Sequence, residues 1–542
     1  MNPKKILILI TVLIFAVLMN AQFASFRSMS TAGILDGDIE YILVPGELAY
    51  VDGFNVYTNL SNFANASENV FSTSTQYNYL AGTKFDYMGI HTGILHRSTN
   101  RSLAEDEVTV ENYFEDRSGN TEYDYHEKDS IFEHDNNAMH IDRTYYGFAY
   151  GARDEMRFGF AYTRNNSSNH NTQEELIVSS SDDLVTGDLL SSSYIVDDFN
   201  GIFANTVQDF ELSIYMPMDM MDIGFNVHYG PSLYKQQMLY EDSVYEDRAP
   251  GGTATNYNYY QETDEYDYQF NAQNWGLGTV VKMDSEEYLG EFNIAYNNST
   301  LGRPEFVNRD YSYNFFETTP TAIENDTLEI TETITNQDSD SLSLLEGSIN
   351  TLSTGMKYVR KLDKALFGFG VGFSMQSRDT LFIDYFDREY EVHYNDGDGV
   401  ADAGDYDITG TESYTRRYDW NSVNHSLRFP VGVEFNANNS LVFRLGAATT
   451  FSWDNSFAST KYTSWTPETR VYEDATGYIS ETIIDDPGTR IDGETETHEF
   501  TKETDYTYGL GWKISDNFSI DLMGFANLTD MTGWKISANA KF

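Results

Sequence analysis

The chain has 542 residues, no cysteine, and 85 acidic against 34 basic side chains, a net charge of -51. Nucleic-acid backbones need a basic face, so this composition excludes them as partners, and the missing thiols exclude a disulfide framework and thiolate metal sites. Aromatics make up 15% of the residues, with 40 Tyr and 35 Phe, although mean hydropathy is negative.

Lys4 and Lys5 precede an apolar run from Ile6 to Met19, and the small Ala21 follows. A basic head, a short apolar core and a small residue predict a cleaved secretory signal over residues 1–21, with Gln22 first in the mature chain. The run is shorter than the roughly 20 residues of a membrane-crossing helix. No cysteine follows it, so no lipoprotein anchor is expected. Beyond Met19 no apolar stretch could cross a bilayer as a helix, and only a closed barrel remains as an integral membrane architecture. In a barrel every second strand residue faces the lumen and the interfaces carry aromatic girdles. That accounts for a polar average with many aromatics.

The strand pattern agrees. Candidate first strands are Phe54–Leu60, Val70–Leu80 and Lys84–His96. Tyr145 to Tyr150 runs into a turn near Arg153-Asp154 and returns as Met156 to Thr163. Met156, Phe158, Phe160 and Tyr162 share one face there, and Arg157, Gly159 and Ala161 the other. The alternation recurs. Ile223, Phe225, Val227 and Tyr229 face outward, opposite Gly224, Asn226 and His228. Phe292, Ile294 and Tyr296 face outward, opposite Glu291 and Asn293. Phe367, Phe369, Val371 and Phe373 interleave with Gly368, Gly370 and Gly372. Leu441, Phe443 and Leu445 interleave with Val442 and Arg444. Phe518, Ile520, Leu522 and Gly524 form another outward set. The last strand puts Trp534, Ile536, Ala538, Ala540 and Phe542 on one face, with Lys535, Ser537, Asn539 and Lys541 on the other.

Long polar segments separate these hairpins, at about residues 98–138, 166–203, 231–262, 298–347, 377–416 and 453–500. Short turns at one end and long loops at the other are the asymmetry of outer-membrane barrels. The expected fold is all-β: a transmembrane antiparallel up-and-down barrel over residues 51–542. About 14–16 strands are expected, with long acidic extracellular loops. Alternating stretches inside the loops, such as Thr327 to Ile334, predict strands that continue above the membrane. Lipid is then the main partner, and Phe542 at the chain end resembles the signal read by barrel assembly machinery.

The stretch after the signal does not alternate. It reads Phe26-Arg-Ser-Met-Ser-Thr-Ala-Gly, then Asp36 and Asp38, then Val44-Pro-Gly-Glu-Leu-Ala49. Arg27, Ser28, Met29, Gly33, Pro45, Leu48 and Ala49 follow an order that resembles the opening of FadL-like and PorV-type outer-membrane barrels. Val44 stands where that family has Asn, and Gly46 where it has Ala. The resemblance implies that residues 22–50 plug the lumen, and that hydrophobic solutes leave sideways through the wall. The alternative is a cap or short helix with no transport role.

Two groups of residues could carry chemistry. Tyr394 to Asp405 has the spacing of a calcium loop, with Asp396, Asp398, Asp402 and Asp405 at ligand positions and Gly399 at the turn, although Tyr394 replaces the first carboxylate. Its alternative is an acidic surface turn. Arg157, Asn226, His228, Glu291, Asn293, Glu434, Arg444, Lys535 and Lys541 are expected to face the lumen. Such charges set ion selectivity or, the favoured reading, form a network that fills the lumen. No nucleophile elbow, zinc motif or phosphate loop occurs, so no enzyme is expected, and no cofactor beyond calcium. The leading expectation is passive uptake of a small hydrophobic solute. The alternatives are a structural or adhesion barrel whose loops bind partners, and a partner of a secretion apparatus.

Overall fold

The computed structural model describes residues 25–59, 75–116, 125–184, 189–248, 256–301, 307–320, 327–336, 342–395, 405–484 and 492–525, with 535–542. The expected signal, Val70 and its neighbours before Thr75, and Trp534 lie outside the described residues. The described residues form one sheet of nineteen strands. These are β1 Asn55–Asn59, β2 Thr75–Tyr87, β3 Ile90–Glu115, β4 Tyr125–Tyr150, β5 Arg157–Asp183, β6 Leu189–Met218, β7 Met221–Arg248, β8 Asn256–Asp284 and β9 Tyr288–Leu301. They continue as β10 Val307–Pro320, β11 Thr327–Asn336, β12 Leu342–Leu362, β13 Ala365–Asn395, β14 Tyr406–Asn436 and β15 Leu441–Asp474. The last are β16 Ile479–Ile484, β17 Gly493–Ser515, β18 Phe518–Phe525 and β19 Lys535–Lys541. β1 pairs antiparallel with both β2 and β19, which closes the ring.

Sixteen strands are staves of the barrel. The other three, β10, β11 and β16, pair with the upper ends of staves, and β10 and β11 also pair with each other. β10 lies against β8, and β11 against β13. β9 and β12 pair directly below them. β16 lies against β15 from Glu468 to Glu473, above the point where β17 takes over at Thr460. Thr327 to Ile334 therefore lies in a strand above the spanning region, as its polar character on both faces requires.

The outward residues form the lipid-facing band. Phe148, Phe158, Phe160, Leu212, Ile214, Phe225, Val227, Leu277, Phe292, Ile294, Phe367, Phe369 and Leu445 are all exposed. Aromatics border this band: Tyr87, Tyr150, Phe435, Phe443 and Trp512 near the short turns, and Tyr229, Trp275, Trp453 and Phe500 above. Phe443 and Trp453 are ten positions apart on β15. That is about 33 Å along a strand, a span that matches the roughly 9–11 tilted residues needed to cross a membrane. Phe542 is 74% exposed. Its ring centroid lies 5.7 Å from that of Phe54, and the two residues exchange backbone hydrogen bonds.

Two expectations change. Lys84–His96 is not one strand: Met88 and Gly89, both at positive φ, reverse the chain between β2 and β3. The long polar segments are mostly strand. β15 runs unbroken for 34 residues, roughly three times the length a membrane crossing needs. Ladder pairing, which satisfies backbone polar groups, keeps these polar segments regular where composition alone points to loops.

Candidate functional site

Residues 25–51 contact staves on both sides of the ring and so lie within the lumen. α1 (Phe26–Ser30) meets β15, β17 and β18; a 3-10 helix (Pro45–Tyr50) meets β3 to β6. Between them is α2 (Asp38–Ile42). The segment satisfies its own backbone. Ser28 N–H donates to Ser25 Oγ at 3.1 Å, capping α1. The Glu40 carboxylate accepts from Ser25 N at 2.7 Å and Gly37 N at 2.8 Å; burial raises its pKa. Pro45 opens the 3-10 helix, where no N–H is needed. Ala32 and Gly33 both have positive φ and turn the chain after α1. Arg428 Nη2 donates to the Ala32 carbonyl at 3.1 Å.

The wall makes room by leaving out side chains. A Cβ added at Gly93 would lie 2.6 Å from Ile42 Cγ2; at Gly159, 2.6 Å from Gly46 N; at Gly432, 2.6 Å from the Thr31 carbonyl oxygen. At Gly446 it would lie 2.5 Å from Ala32 N, and at Gly509, 2.7 Å from Ser30 Cβ. Gly368, Gly432 and Gly446 are neighbours across three adjoining staves. This glycine belt lets the backbone of the segment approach the sheet directly. Apolar contacts complete the fit: Ile39, Ile42, Leu48 and Val51 pack with Tyr57, Leu95 and Tyr145 in one buried cluster.

Two ion-pair chains tie the segment to the wall. Arg27 donates twice to Glu434, at 2.9 and 2.8 Å; Arg444 also bonds Glu434, at 2.8 Å, and reaches Asp521. On the other side Lys282 meets Glu47 at 2.5 Å, and Tyr215 OH donates to the same carboxylate at 2.9 Å. Burial pushes the Glu47 pKa up, against the opposing pull of Lys282. Lys357 bridges Asp36 at 3.0 Å and Glu291 at 3.4 Å. A buried charge persists only when it is paired and hydrogen-bonded, and Glu434, Glu47 and Arg444 all meet that condition.

Each residue expected at the lumen has a definite place. Arg157 is fully buried, donates to Tyr50 OH at 3.1 Å and pairs with Asp222 at 3.0 Å. Asn226 donates to Glu211. His228 lies between Asp209, at 3.0 Å, and Asn297, at 2.7 Å. Asn293 donates to Glu291. Lys541 is exposed at the turn end, while Lys535 pairs with Met523 in the β18–β19 ladder. Of the segment residues, Leu48 is fully buried, and Ser28, Pro45 and Ala49 are buried. The Met29 amide donates to the Ser25 carbonyl. Glu47, Lys282, Lys357 and Tyr215 were not legible as site residues, because their partners are distant in sequence. Asp396, Asp398 and Asp402 lie outside the described residues. The Asp405 carbonyl accepts the Ala475 N–H at 3.0 Å, and among the described residues no group of three metal-ligating side chains occurs.

A cavity adjoins the segment, and two seams of the wall lose ladder pairs while their strands stay in contact. A cavity of about 730 Å³ lies at the turn end, between the segment and β6 to β9, with a mixed lining: Leu35, Met218 and Met283 beside the charged Asp36, Lys282 and Glu291, among others. In addition, the β6–β7 ladder skips Gln208 and Asp209 opposite Gly230-Pro231, and the β13–β14 ladder skips two pairs beside Pro430. Proline donates no ladder hydrogen bond.

These features define a class: a sixteen-stave transmembrane barrel of the outer-membrane type, with an N-terminal segment held in its lumen, as the FadL-like resemblance implies. No family model matches the chain and no curated protein matches it. Among solved structures it is similar to the Pseudomonas putida toluene transporter TodX, with 10% identity, a TM-score of 0.33, and coverage of 96% of this chain and 99% of that one. It is similar to the Ralstonia pickettii toluene transporter TbuX, at 11%, 0.27, and coverage of 96% and 97%. It is also similar to the FrpB iron transporter of Neisseria meningitidis, at 8%, 0.28, and coverage of 94% and 83%. The class rests on the barrel's own geometry.

Proposed function

We propose that the barrel takes up small apolar solutes passively across the outer membrane. The observation that carries this reading is the seating of residues 25–51 inside the ring, beside a turn-end cavity whose mixed lining includes Met218, Met220, Met221 and Met283. Methionine is soft and adaptable and accommodates apolar bodies of varied shape. Solute entering from the loop end meets residues 25–51 and cannot pass straight through. A sideways exit requires two staves to part, and the β6–β7 seam, which lacks two ladder pairs at the height of Tyr229 and Trp275, is where parting breaks fewer hydrogen bonds. Uptake of a neutral aromatic hydrocarbon into proteoliposomes tests the reading. Cysteines at Val207 and Ser232, which face each other across the seam, should slow uptake several-fold when oxidised and restore it when reduced. Uptake no faster than in empty liposomes overturns the proposal.

The height of the wall favours a second role in docking partners outside the cell. Its strands continue far past the lipid-facing band, which a minimal channel does not require. Trimming β10 and β11 should then abolish surface binding and leave uptake intact.

A further inference from the structure

Above the segment a second belt of buried side chains lies on the inner face of the wall. Phe203, Tyr234, Leu301, Ile349 and Phe382 are buried there, on β6, β7, β9, β12 and β13. Arg378 sits among them, 2% exposed. None of its three guanidinium nitrogens has a hydrogen-bond partner. Its Cζ lies 4.8 Å from the centroid of the Trp420 ring. Tyr234 and Asp454 are the titratable groups that act on it, and neither forms an ion pair with it. Among the described residues the other fully buried cations are paired: Arg157 with Asp222, and Lys84 with Asp86.

An arginine side chain does not shed its proton, so this position holds a charge with no counter-charge. Such a group is costly unless something supplies the missing acceptor. Its fork geometry matches a carboxylate, which can accept two parallel hydrogen bonds. The surrounding rings and aliphatic groups match an apolar body. We propose that Arg378, Trp420 and Tyr234 form a binding site in the upper lumen for small organic acids, with the carboxylate on Arg378 and the hydrocarbon part in the apolar belt. The guanidinium is shielded from solvent, so an anion reaches it when the covering indole turns aside. Asp454, with one buried oxygen unpaired, competes electrostatically with the ligand. The site rests on the lumen being a solute route, but its test reads binding and not flux, so the two proposals fail separately.

The test titrates the full-length barrel in detergent with benzoate and with benzamide, its neutral counterpart, reading heat and tryptophan fluorescence. Benzoate should bind at least tenfold more tightly than benzamide. Arg378→Met should remove that preference, Arg378→Lys should keep part of it, and Asp454→Asn should strengthen benzoate binding. Equal binding of the two probes, no binding of either, or an unchanged preference in Arg378→Met overturns the proposal. If Arg378→Met does not fold, the benzoate-to-benzamide ratio of the native barrel and its Asp454→Asn variant decides: an unchanged ratio between them counts against the site.

Discussion

The lower lumen and the upper lumen handle buried charge in opposite ways. Around residues 25–51, Arg27, Glu434, Arg444 and Asp521 form a continuous chain of ion pairs, and Glu47 is held by Lys282 and Tyr215. In the upper belt Arg378 has neither an ion pair nor a hydrogen bond. The contrast separates a cohesive role from a receptive one. A satisfied network holds two parts of a molecule together, whereas an unsatisfied cation is a vacancy for a ligand.

The largest expected effect breaks the satisfied region. Glu434→Ala leaves Arg27 and Arg444 without their shared carboxylate, and should lower stability by about 3 kcal/mol, read as a reduced urea midpoint in detergent. Arg378→Met sharpens the comparison by carrying the opposite sign. Replacing an unpaired buried charge with an apolar chain of similar volume should be neutral or raise stability by up to about 2 kcal/mol in the same titration. Gly446→Ala forces a Cβ against the backbone of Ala32, and should cost about 1–3 kcal/mol while making the segment more sensitive to protease. Arg417→Ala, which removes the exposed pair with Asp419, should change stability by less than about 1 kcal/mol.

Much of the barrel is legible in the sequence because its signal is local. Phe158 and Phe160 alternate with Arg157 and Gly159 in one strand, and the two-residue period states both faces at once. The segment around Arg27 and Pro45 is legible as a break in that period. The partners are not. Arg27 and Glu434 are 407 residues apart, and Lys282 and Glu47 are 235 apart, so no short-range pattern joins them. Gly368, Gly370 and Gly372 are visible as a small-residue face, but only the register across β13, β14 and β15 shows that Gly368, Gly432 and Gly446 make one belt. Arg378 falls in a stretch whose polar composition suggests a loop. Its burial follows from β13 continuing far above the lipid-facing band.

We propose that residues 25–51, seated on the glycine belt, close the lumen. Single-channel conductance in a planar bilayer tests it most directly, comparing the full mature chain with one lacking residues 25–51. Closure predicts little conductance for the full chain and stable, large openings once the segment is removed. Equal conductance from the two proteins contradicts the account.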